Sequence, residues 1–499
     1  MTLRLFNTLT GQLDELVPPD GEALRMYACG PTVYDYGHIG NFRTFLQVDV
    51  LRRFLKLTGM RIRHVMNITD VDDKIIRNAA AEGEPIGQYT ARYEQAFFED
   101  LEALRVERPE VMARATEHIP KMVELVERLA KAGAAYQTED GSWYFRLAAF
   151  PEYGKLSKKD LNGIEDGARV DVDEYEKDSA RDFALWKAAK PGETSWDTAI
   201  GRGRPGWHIE CSAMAMEYLG ESFDLHAGGE DLIFPHHENE IAQSESVTHK
   251  IFARHWMHVR FLLVDGRKMS KSEGNFYTLR DLLLKGYKAS AIRLALISVP
   301  YRHQFNFTFD GLVEATAAIE RLRTFKQRLT STNWPEGGSH LEAGSDTAVL
   351  EAVETARENF RDALANDLNT AEARAAIFDL VRTINTLADS GSLLRVDVAA
   401  ILDALGEFDA VFDVMEDGDA EATRRALEWA KQTGRLHEAA PELLARQSLT
   451  DEEIEALVEE RTLAKKQRNF ARADQIRNEL AEKGVVLEDS KDGVRWKRK

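Results

Sequence analysis

Residues 24–41 read LRMYACGPTVYDYGHIGN, and this stretch decides the fold that the sequence predicts. A short apolar strand at 24–28 runs through a glycine-rich turn into a helix, because apolar side chains recur at helical spacing after the turn. Those side chains are Phe42, Phe45, Val48, Leu51 and Leu55. A second apolar strand, 61–66, follows the helix. The pattern predicts a βαβ unit over 24–67 and an α/β fold with a Rossmann-like parallel sheet.

The turn before this helix carries polar side chains that suit an anion. His38 and Asn41 lie at the helix N-terminus, where free N–H groups and the helix dipole favour negative charge. Gly40 would let a flat ring approach the backbone. A surface histidine in a turn is the alternative when this motif is taken alone. Ligands of such sheets collect at the carboxyl ends of the strands, where we expect three residues: Cys29, Thr69 and His226.

A second informative stretch is Lys268-Met269-Ser270-Lys271-Ser272, which is followed by Gly274. Two ammonium groups and two hydroxyls on a short loop can close around a polyphosphate, since lysine supplies point charge and serine supplies compact hydrogen bonds. A solvated, charged surface turn is the alternative for this loop on its own.

In this order, the two segments resemble the signatures of class I aminoacyl-tRNA synthetases, His-Ile-Gly-His and Lys-Met-Ser-Lys-Ser. The second signature matches completely, whereas Asn41 replaces the second histidine of the first. The resemblance implies that ATP, with magnesium, is bound by His38, Gly40, Asn41, Lys268, Ser270 and Lys271. It assigns catalytic roles to four of them: His38, Asn41, Lys268 and Lys271.

The chain has only two cysteines, Cys29 and Cys211, and both lie in motif-like surroundings. A disulfide between them is disfavoured, because the chain shows neither an apolar signal core nor an apolar run of membrane-spanning length. We therefore expect a reducing, cytoplasmic setting and no membrane partner. Two inert core cysteines remain an alternative.

A motif at 234–240, FPHHENE, predicts the start of a helix with Pro235 in its first turn. His236 and Glu240 are four residues apart and therefore share one helix face. Together with the two cysteines, this imidazole and this carboxylate can form a tetrahedral zinc shell. A histidine that merely starts a helix is the alternative.

With the segment GWHIECSAM at 206–214, these features resemble the cysteinyl-tRNA synthetase family over essentially the whole chain. The resemblance implies one zinc ion per chain, with the ligands Cys29, Cys211, His236 and Glu240. It implies an amino-acid pocket lined by Gly30, Thr69, Trp207 and Asp231. The implied reaction has two steps: L-cysteine and ATP give cysteinyl-adenylate, and the cysteinyl group then passes to the 3'-terminal ribose of tRNA(Cys).

The implied metal has a chemical rationale in substrate selection. Cysteine and serine are nearly isosteric, so pocket shape alone separates them by roughly 10 to 200-fold. Zinc binds a soft thiolate far better than a neutral alcohol. The implied site thus rejects serine at the binding step.

The C-terminal end differs in charge from the rest of the chain. The formal net charge is -19, yet residues 461–499 hold twelve basic and six acidic side chains. Basic residues interleaved with an aromatic suit RNA. An ordinary amphipathic helix with Leu463, Phe470, Ile476 and Leu480 in its core is the alternative. By resemblance, the anticodon contacts are Lys465, Phe470, Asp474, Arg477 and Asp489.

The length of 499 residues suggests about three domains. We predict a split Rossmann-like catalytic domain, an insertion with a helix and a hairpin turning at Asp140-Gly141, a helical bundle and a small C-terminal anticodon-binding domain. The predicted boundaries are 1–105 and 206–307 for the catalytic domain, 106–205 for the insertion, 308–412 for the bundle, 413–448 for a linker and 449–499 for the C-terminal domain. We expect a monomer.

Two rival functions remain open at this point. A paralogous cysteine ligase would keep the adenylating core but deliver cysteine to an amino sugar, and it would lack the basic C-terminal module. A non-catalytic RNA-binding or zinc-sensing relative would have no need of Lys268, Ser270 and Lys271 together.

Overall fold

The structure, a computed structural model, describes residues 2–18, 22–159, 169–170, 182–336, 347–446, 451–483, 485–490 and 493–498. The chain divides into two units, one formed by Met1–Leu279 with Ala289–Gly418 and one formed by Arg280–Lys288 with Asp419–Lys499.

The first part of the chain builds most of a parallel sheet. Its elements are β1 (Arg4–Asn7), β2 (Gln12–Glu15), β3 (Leu24–Ala28), α1 (Ile39–Leu57), β4 (Ile62–Ile68), α2 (Asp73–Glu82), α3 (Ile86–Ala103) and β5 (Val111–Arg114). The predicted βαβ unit is confirmed, because β3 and β4 are parallel neighbours joined by α1. The five apolar residues that predicted α1 are all buried.

The next part forms the predicted insertion. Its elements are α4 (Ile119–Lys131), β6 (Ala135–Gln137), β7 (Trp143–Phe145), β8 (Arg169–Val170), β9 (Asp182–Ala188) and β10 (Gly203–Pro205). Strands β6 and β7 form the predicted hairpin, and the sheet continues through β9 to β10. One difference from the prediction lies at the start of this region. Strand β5, inside the range predicted for the insertion, pairs with β4 in the parallel sheet.

The chain then returns to the parallel sheet. The elements are α5 (Trp207–Leu219), β11 (Phe223–Gly229), α6 (Glu238–Thr248), β12 (Ala253–Val259), β13 (Leu262–Val264), β14 (Arg267–Lys268), α7 (Leu279–Leu284), α8 (Ala289–Ile297) and β15 (Phe305–Phe307). The sheet order is β12-β11-β3-β4-β5, with all neighbours parallel. The strand order reverses between β3 and β11, where ligands of open α/β sheets bind.

Four helices complete the first unit as the predicted helical bundle. They are α9 (Phe309–Ser331), α10 (Thr347–Ala365), α11 (Thr370–Asp389) and α12 (Val398–Phe412). Each buries an apolar stripe at helical spacing, as in α9 with Leu312, Ile319, Leu322 and Leu329.

The second unit contains α13 (Asp419–Gln432), α14 (Pro441–Arg446), α15 (Asp451–Lys466), α16 (Phe470–Glu482), β16 (Val485–Ser490) and β17 (Gly493–Arg498). The range 413–448, which we predicted to be a linker, thus holds two helices. Helix α13 buries Trp429 and Leu427. At the C-terminal end, α15, α16 and the β16–β17 hairpin share a small core of Ile454, Ile476, Leu480, Val485 and Leu487.

Candidate active site

The turn after β3 positions His38 as the N-cap of α1. The Nδ1 atom of His38 accepts a hydrogen bond from the backbone N of Asn41 at 3.2 Å, and the Oδ1 atom of Asn41 accepts one from the backbone N of His38 at 3.1 Å. Burial lowers the pKa of His38 to about 4, against an opposing effect of Asp231. The ring is therefore neutral near pH 7. Because Nδ1 accepts, Nε2 carries the proton and is the donor.

This reciprocal cap changes the interpretation of the turn. The backbone N of Asn41 is occupied by His38, and the backbone N of Ile39 donates to the carbonyl of Tyr277 at 3.0 Å. Two of the helix N–H groups that we expected to face an anion are thus already bonded. We had expected Gly40 to make room for the flat ring of a ligand. In the structure it makes room for the ring of His38, since a Cβ at Gly40 would lie 2.9 Å from that ring.

The loop with both lysines is shaped by Asn275. This buried side chain accepts from the backbone N of Ser270 at 2.8 Å and donates to the carbonyl of Lys268 at 3.1 Å. The Nζ atom of Lys271 donates to Asp35 Oδ2 at 2.5 Å and lies 5.1 Å from the centre of the Phe276 ring. Lys271 therefore already faces the turn that carries His38.

Backbone bonds fix both ends of this loop. Upstream, in the β13–β14 hairpin, Gly266 N donates to Asn306 Oδ1 at 2.7 Å. Downstream, Tyr277 accepts from Ile39, and Thr278 forms an isolated β-bridge with His38. The two segments that resemble the class I signatures therefore meet, although they lie far apart in the sequence.

Both segments line one cavity of about 940 Å³. Of the predicted site residues, its wall includes Cys29, Gly30, His38, Gly40, Asn41, Trp207, Asp231, Lys268 and Lys271. Ser270 and Thr69 are not on this wall. The Ser270 hydroxyl pairs with that of Ser272 at 2.8 Å, and Thr69 is buried with its hydroxyl donating to Glu210 at 3.0 Å.

Gly30 is needed for a close approach of two strands. A Cβ at this position would lie 1.8 Å from the carbonyl oxygen of Asn67, and the Gly30 N–H donates to Asn67 Oδ1 at 2.8 Å. The amide of Asn67 also donates to Thr69 Oγ1 at 3.2 Å. Thr69 thus supports the cavity through Asn67 and Gly30 rather than by direct exposure.

The predicted metal ligands are brought together in one buried cluster, and one of them, Cys29, also lines the cavity. One ligand atom from each of Cys29, Cys211, His236 and Glu240 lies within 4.8 Å of the others, and all four residues are buried. His236 Nε2 lies 3.1 Å from Glu240 Oε1. Both cysteines are free thiols, so the disulfide alternative is wrong.

The helix that carries Glu240 begins later than predicted. Helix α6 begins at Glu238, and Pro235 lies in the preceding turn, in which Phe234 is non-helical. The turn still places His236 above Glu240. The Nδ1 atom of His236 is 2.9 Å from His208 Nδ1, which leaves Nε2 directed at the cluster.

The charges of this cluster match a cation. Burial raises the pKa of Cys211, but the thiol of Cys29 and the ring of His236 outweigh burial and bring it to about 6. Burial likewise opposes ionisation of Glu240, yet His226 and His236 lower its pKa to about 2. Burial opposes the charge of His236, but Cys211 and Glu240 in turn raise its pKa to about 10, so that ring is protonated. A thiolate and a carboxylate thus face a proton that a metal cation would replace.

More histidines surround this cluster than His226 and His236, the two that we identified from the sequence. His226 Nε2 lies 2.9 Å from Glu240 Oε2, and His237 Nε2 lies 3.2 Å from Cys29 Sγ. Cys29, His226, His237 and Glu240 form a second group with metal-ligand geometry. We had expected His226 at the carboxyl end of its strand, but it lies in the middle of β11. The consecutive histidines at 236–237 were the available signal.

The second unit exposes an aromatic ring and charged side chains of both signs on α16. Phe470, the first residue of α16, is 61% exposed, and Asp474 and Arg477 are exposed on the same helix. Lys465 is half-buried near the end of α15, and Asp489 lies in β16, with its side chain outside the described part. The amphipathic-helix alternative is correct for Ile476 and Leu480, which are buried. It is wrong for Phe470 and for Leu463, which is 54% exposed.

No helix within the described ranges is both long and apolar enough to cross a membrane.

Three family models match the chain. The tRNA synthetases class I (C) catalytic domain matches residues 15–317, the DALR domain matches 359–416, and the cysteinyl-tRNA ligase anticodon binding domain matches 448–496. Among solved structures, the chain resembles methionyl-tRNA synthetase from Mycobacterium tuberculosis with methionyl-adenylate. That match has a TM-score of 0.57 and 16% identity, and it covers 86% of this chain and 95% of that chain. A putative arginyl-tRNA synthetase from Campylobacter jejuni gives a TM-score of 0.51 at 13% identity, over 79% of this chain and 92% of that chain.

The fold and the paired signature segments define a class I aminoacyl-tRNA synthetase. Among curated relatives, the chain is similar to the cysteine–tRNA ligases of Koribacter versatilis, at 59% identity, and Solibacter usitatus, at 54% identity, each over 100% of both chains. The cysteine–tRNA ligase of Leptospira interrogans is 43% identical over 100% of this chain and 99% of its own. The chain belongs to the cysteine–tRNA ligase family, which consists of ATP-dependent class I ligases.

Proposed function

We propose that this protein activates L-cysteine with ATP to cysteinyl-adenylate and transfers the cysteinyl group to the 3'-terminal ribose of tRNA(Cys). The observation that carries the proposal is that one cavity is lined both by the two signature segments and by a residue of the metal-ligand cluster. Its wall includes His38, Lys268 and Lys271, and it also includes Cys29, which belongs to the buried cluster of thiols, imidazole and carboxylate.

The first step needs charge stabilisation and no protein nucleophile. The carboxylate of cysteine attacks the α-phosphorus of ATP, and pyrophosphate leaves. The Nε2–H group of His38 donates a hydrogen bond to the triphosphate from one side, and Lys268 and Lys271 neutralise the triphosphate from the other. Asn41 holds the His38 ring by the reciprocal cap. Gly40 and Ser270 complete the ATP-binding set, and magnesium accompanies the nucleotide.

The cluster that contains Cys29 selects the amino acid. Cys29, Cys211, His236 and Glu240 would hold one zinc ion, which supplies a soft Lewis acid for the substrate thiol and so discriminates against serine. The centre of the Trp207 ring lies 4.3 Å from that of the His236 ring, which supports a role for the indole beside the substrate thiol. Asp231 on the cavity wall offers a carboxylate to the substrate ammonium. Gly30 lines the pocket, and Thr69 supports it through Asn67.

The second unit supplies recognition of tRNA. We assign the anticodon contacts to Lys465, Phe470, Asp474, Arg477 and Asp489. The exposure of Phe470 supports base stacking, because an aromatic ring of that exposure is available to an unstacked base. We further propose that the protein acts as a cytoplasmic monomer.

Aminoacylation of purified tRNA(Cys) tests this function directly. We expect charging with cysteine and none with serine, and we expect a zinc chelator to abolish the discrimination. Cysteine-dependent pyrophosphate exchange without any charging of tRNA would instead favour the ligase that acts on an amino sugar. The presence of α15, α16 and the β16–β17 hairpin supports the tRNA substrate over that rival.

The Cys211→Ser variant tests the metal site. We expect it to lose bound zinc and selectivity against serine together, because an alcohol is a poor zinc ligand. Zinc content is measured by metal analysis, with Ser212→Ala on the same helix as the control. Stoichiometric zinc in Cys211→Ser would remove Cys211 from the ligand set.

A further inference from the structure

An unpaired phenol lies beside the metal-ligand cluster. Tyr27 in β3 is completely buried, and its hydroxyl makes no hydrogen bond of ordinary geometry within the described ranges. Its ring packs against His226, with ring centres 5.1 Å apart. Phenylalanine would fill the same space, so packing alone does not require the hydroxyl.

The strand register directs this side chain toward the cluster. Tyr27 and Cys29 are two residues apart, and the Cys29 N–H continues the β3 ladder by donating to the carbonyl of Ala227 at 3.0 Å. Side chains two apart along a strand point to the same face of the sheet. Tyr27 is also directly opposite His226, which pairs with Glu240.

The polar groups that the Tyr27 hydroxyl meets are those of the cluster. Tyr27, Cys29 and Cys211 belong to one buried core cluster. The side chain of Cys211 lies next to the Tyr27 hydroxyl, although the two make no hydrogen bond of ordinary geometry. A phenol O–H beside a thiolate can only act as a donor to it.

We propose that Tyr27 is a positioning residue of the metal centre, whose O–H donates to the Cys211 thiolate when that thiolate binds the ion. The proposal rests on the zinc site proposed above. The Tyr27 hydroxyl, which otherwise has no hydrogen-bond partner among the described residues, is then hydrogen-bonded to the charged Cys211 thiolate. Groups that hydrogen-bond metal ligands orient them and tune the metal.

This role has a consequence for selectivity. A thiolate that accepts a hydrogen bond donates less electron density to its metal, so the ion remains a stronger Lewis acid. A stronger Lewis acid binds the incoming substrate thiolate more tightly. Tyr27 would therefore set cysteine affinity without touching the substrate.

The test uses the full-length Tyr27→Phe protein, which keeps the ring and removes the hydroxyl. Release of zinc to a chromophoric chelator gives the metal affinity. We expect this affinity to fall about 10 to 100-fold, because the Cys211 thiolate loses the hydrogen bond that orients it. Cobalt replacing zinc gives a spectroscopic signature independent of activity. We expect the thiolate-to-cobalt charge-transfer bands to move to lower energy, because the thiolate loses a hydrogen bond.

The Tyr301→Phe variant is the matched control. Tyr301 is equally buried, but its hydroxyl donates to Asp367 at 2.6 Å and faces no thiol. We expect this variant to leave zinc release and the cobalt spectrum unchanged. Wild-type values for both measurements in Tyr27→Phe would overturn the proposal. A wild-type protein that binds no zinc would instead overturn the zinc site itself.

Discussion

At the scale of single residues, the structure assigns different tasks to the polar side chains of the cavity. His38 is a neutral donor because burial lowers its pKa to about 4 and its Nδ1 atom is occupied by the backbone of Asn41. Lys271 is a point charge that rests on Asp35, with an exposed side chain. An exposed ion pair of this kind contributes at most about 1 kcal/mol, so a triphosphate can displace Asp35 from Lys271.

We expect Lys271→Ala to lower the rate of cysteine-dependent pyrophosphate exchange by at least about 10²-fold, the scale of losing one preorganised donor to transition-state charge. The control is Arg267→Ala. Arg267 is an exposed cation in the same loop that contacts Glu273 at 3.5 Å. Its variant should exchange at close to the wild-type rate. Equal rates in the two variants would refute the special role of Lys271.

At the scale of elements, the proposed roles of His38 and Asn41 predict that their reciprocal cap links helix stability to catalysis. In Asn41→Ala, the backbone N of His38 loses its partner and the imidazole loses its fixed orientation. We expect the free energy of unfolding to fall by about 1 kcal/mol and pyrophosphate exchange to fall by about 10 to 10²-fold.

Helix α11 offers a matched control for this variant. Asn369 caps α11 by accepting from the backbone N of Glu372 at 3.2 Å. Asn369→Ala should lose a similar amount of stability without changing exchange. An Asn41→Ala protein that is destabilised but fully active would show that Asn41 is only a structural cap.

Strand β4 contains a buried histidine that makes stability depend on pH. Burial, with a smaller effect from Arg52, lowers the pKa of His64 to about 3, against the opposing charge of Glu110. The unfolded chain binds this proton near pH 6.5, whereas the folded chain binds it only near pH 3. Between these values the unfolded state holds more protons, so stability falls as the pH is lowered.

The His64→Leu variant isolates this effect. Between pH 7 and pH 5 we expect it to lose about 2 kcal/mol less stability than the wild-type protein, at about 1.4 kcal/mol per pH unit below 6.5. Urea unfolding at both pH values measures the difference. Other buried histidines, such as His255, contribute equally to both proteins and cancel. Parallel losses in the two proteins would contradict the prediction.

Much of this architecture could be predicted from the sequence because it rests on local patterns. The apolar spacing after Asn41 predicts α1, and the turn at Asp140-Gly141 predicts the β6–β7 hairpin. Strand β5 was missed because it is only four residues long and its place in the sheet depends on pairing with β4. Helix α13 was missed because an acidic run precedes it.

The candidate site was less predictable, since its geometry depends on contacts between distant residues. The four expected ligands converge, but nothing in the spacing indicates that Thr69 is buried behind Asn67 and Gly30. The neutral tautomer of His38 follows from a backbone contact that sequence reasoning does not reveal. The histidines around Glu240 come from β11, α5 and β12, and only the fold brings them together.

At the scale of the whole molecule, two units divide the work between chemistry and recognition. The cavity residues all lie in the first unit, and the exposed Phe470 lies in the second. The chain as a whole is strongly acidic, whereas residues 461–499 carry the excess of basic side chains. General attraction to RNA is therefore weak, and binding depends on local contacts.

We expect Phe470→Ala to lower kcat/KM for tRNA charging by about 10-fold, because stacking of a base on an aromatic ring is worth about 1 to 3 kcal/mol. Cysteine-dependent pyrophosphate exchange, which needs no tRNA, should stay unchanged. Leu463→Ala, which removes a similarly exposed apolar side chain from the same unit, is the control. Equal charging by Phe470→Ala and wild-type protein would exclude Phe470 from the interface.

Hydrogen bonds at both ends of the loop that carries Lys268 and Lys271 restrict the length of this loop. Gly266 is bonded to Asn306 at one end, and Tyr277 is bonded to Ile39 at the other. Both ends of the segment between them are therefore fixed. An inserted or deleted residue must change the backbone conformation within the segment. Point changes at solvent-facing positions such as Glu273 leave that segment intact. Insertions and deletions would move both ammonium groups away from the nucleotide, so length variation among functional variants belongs outside residues 266–277.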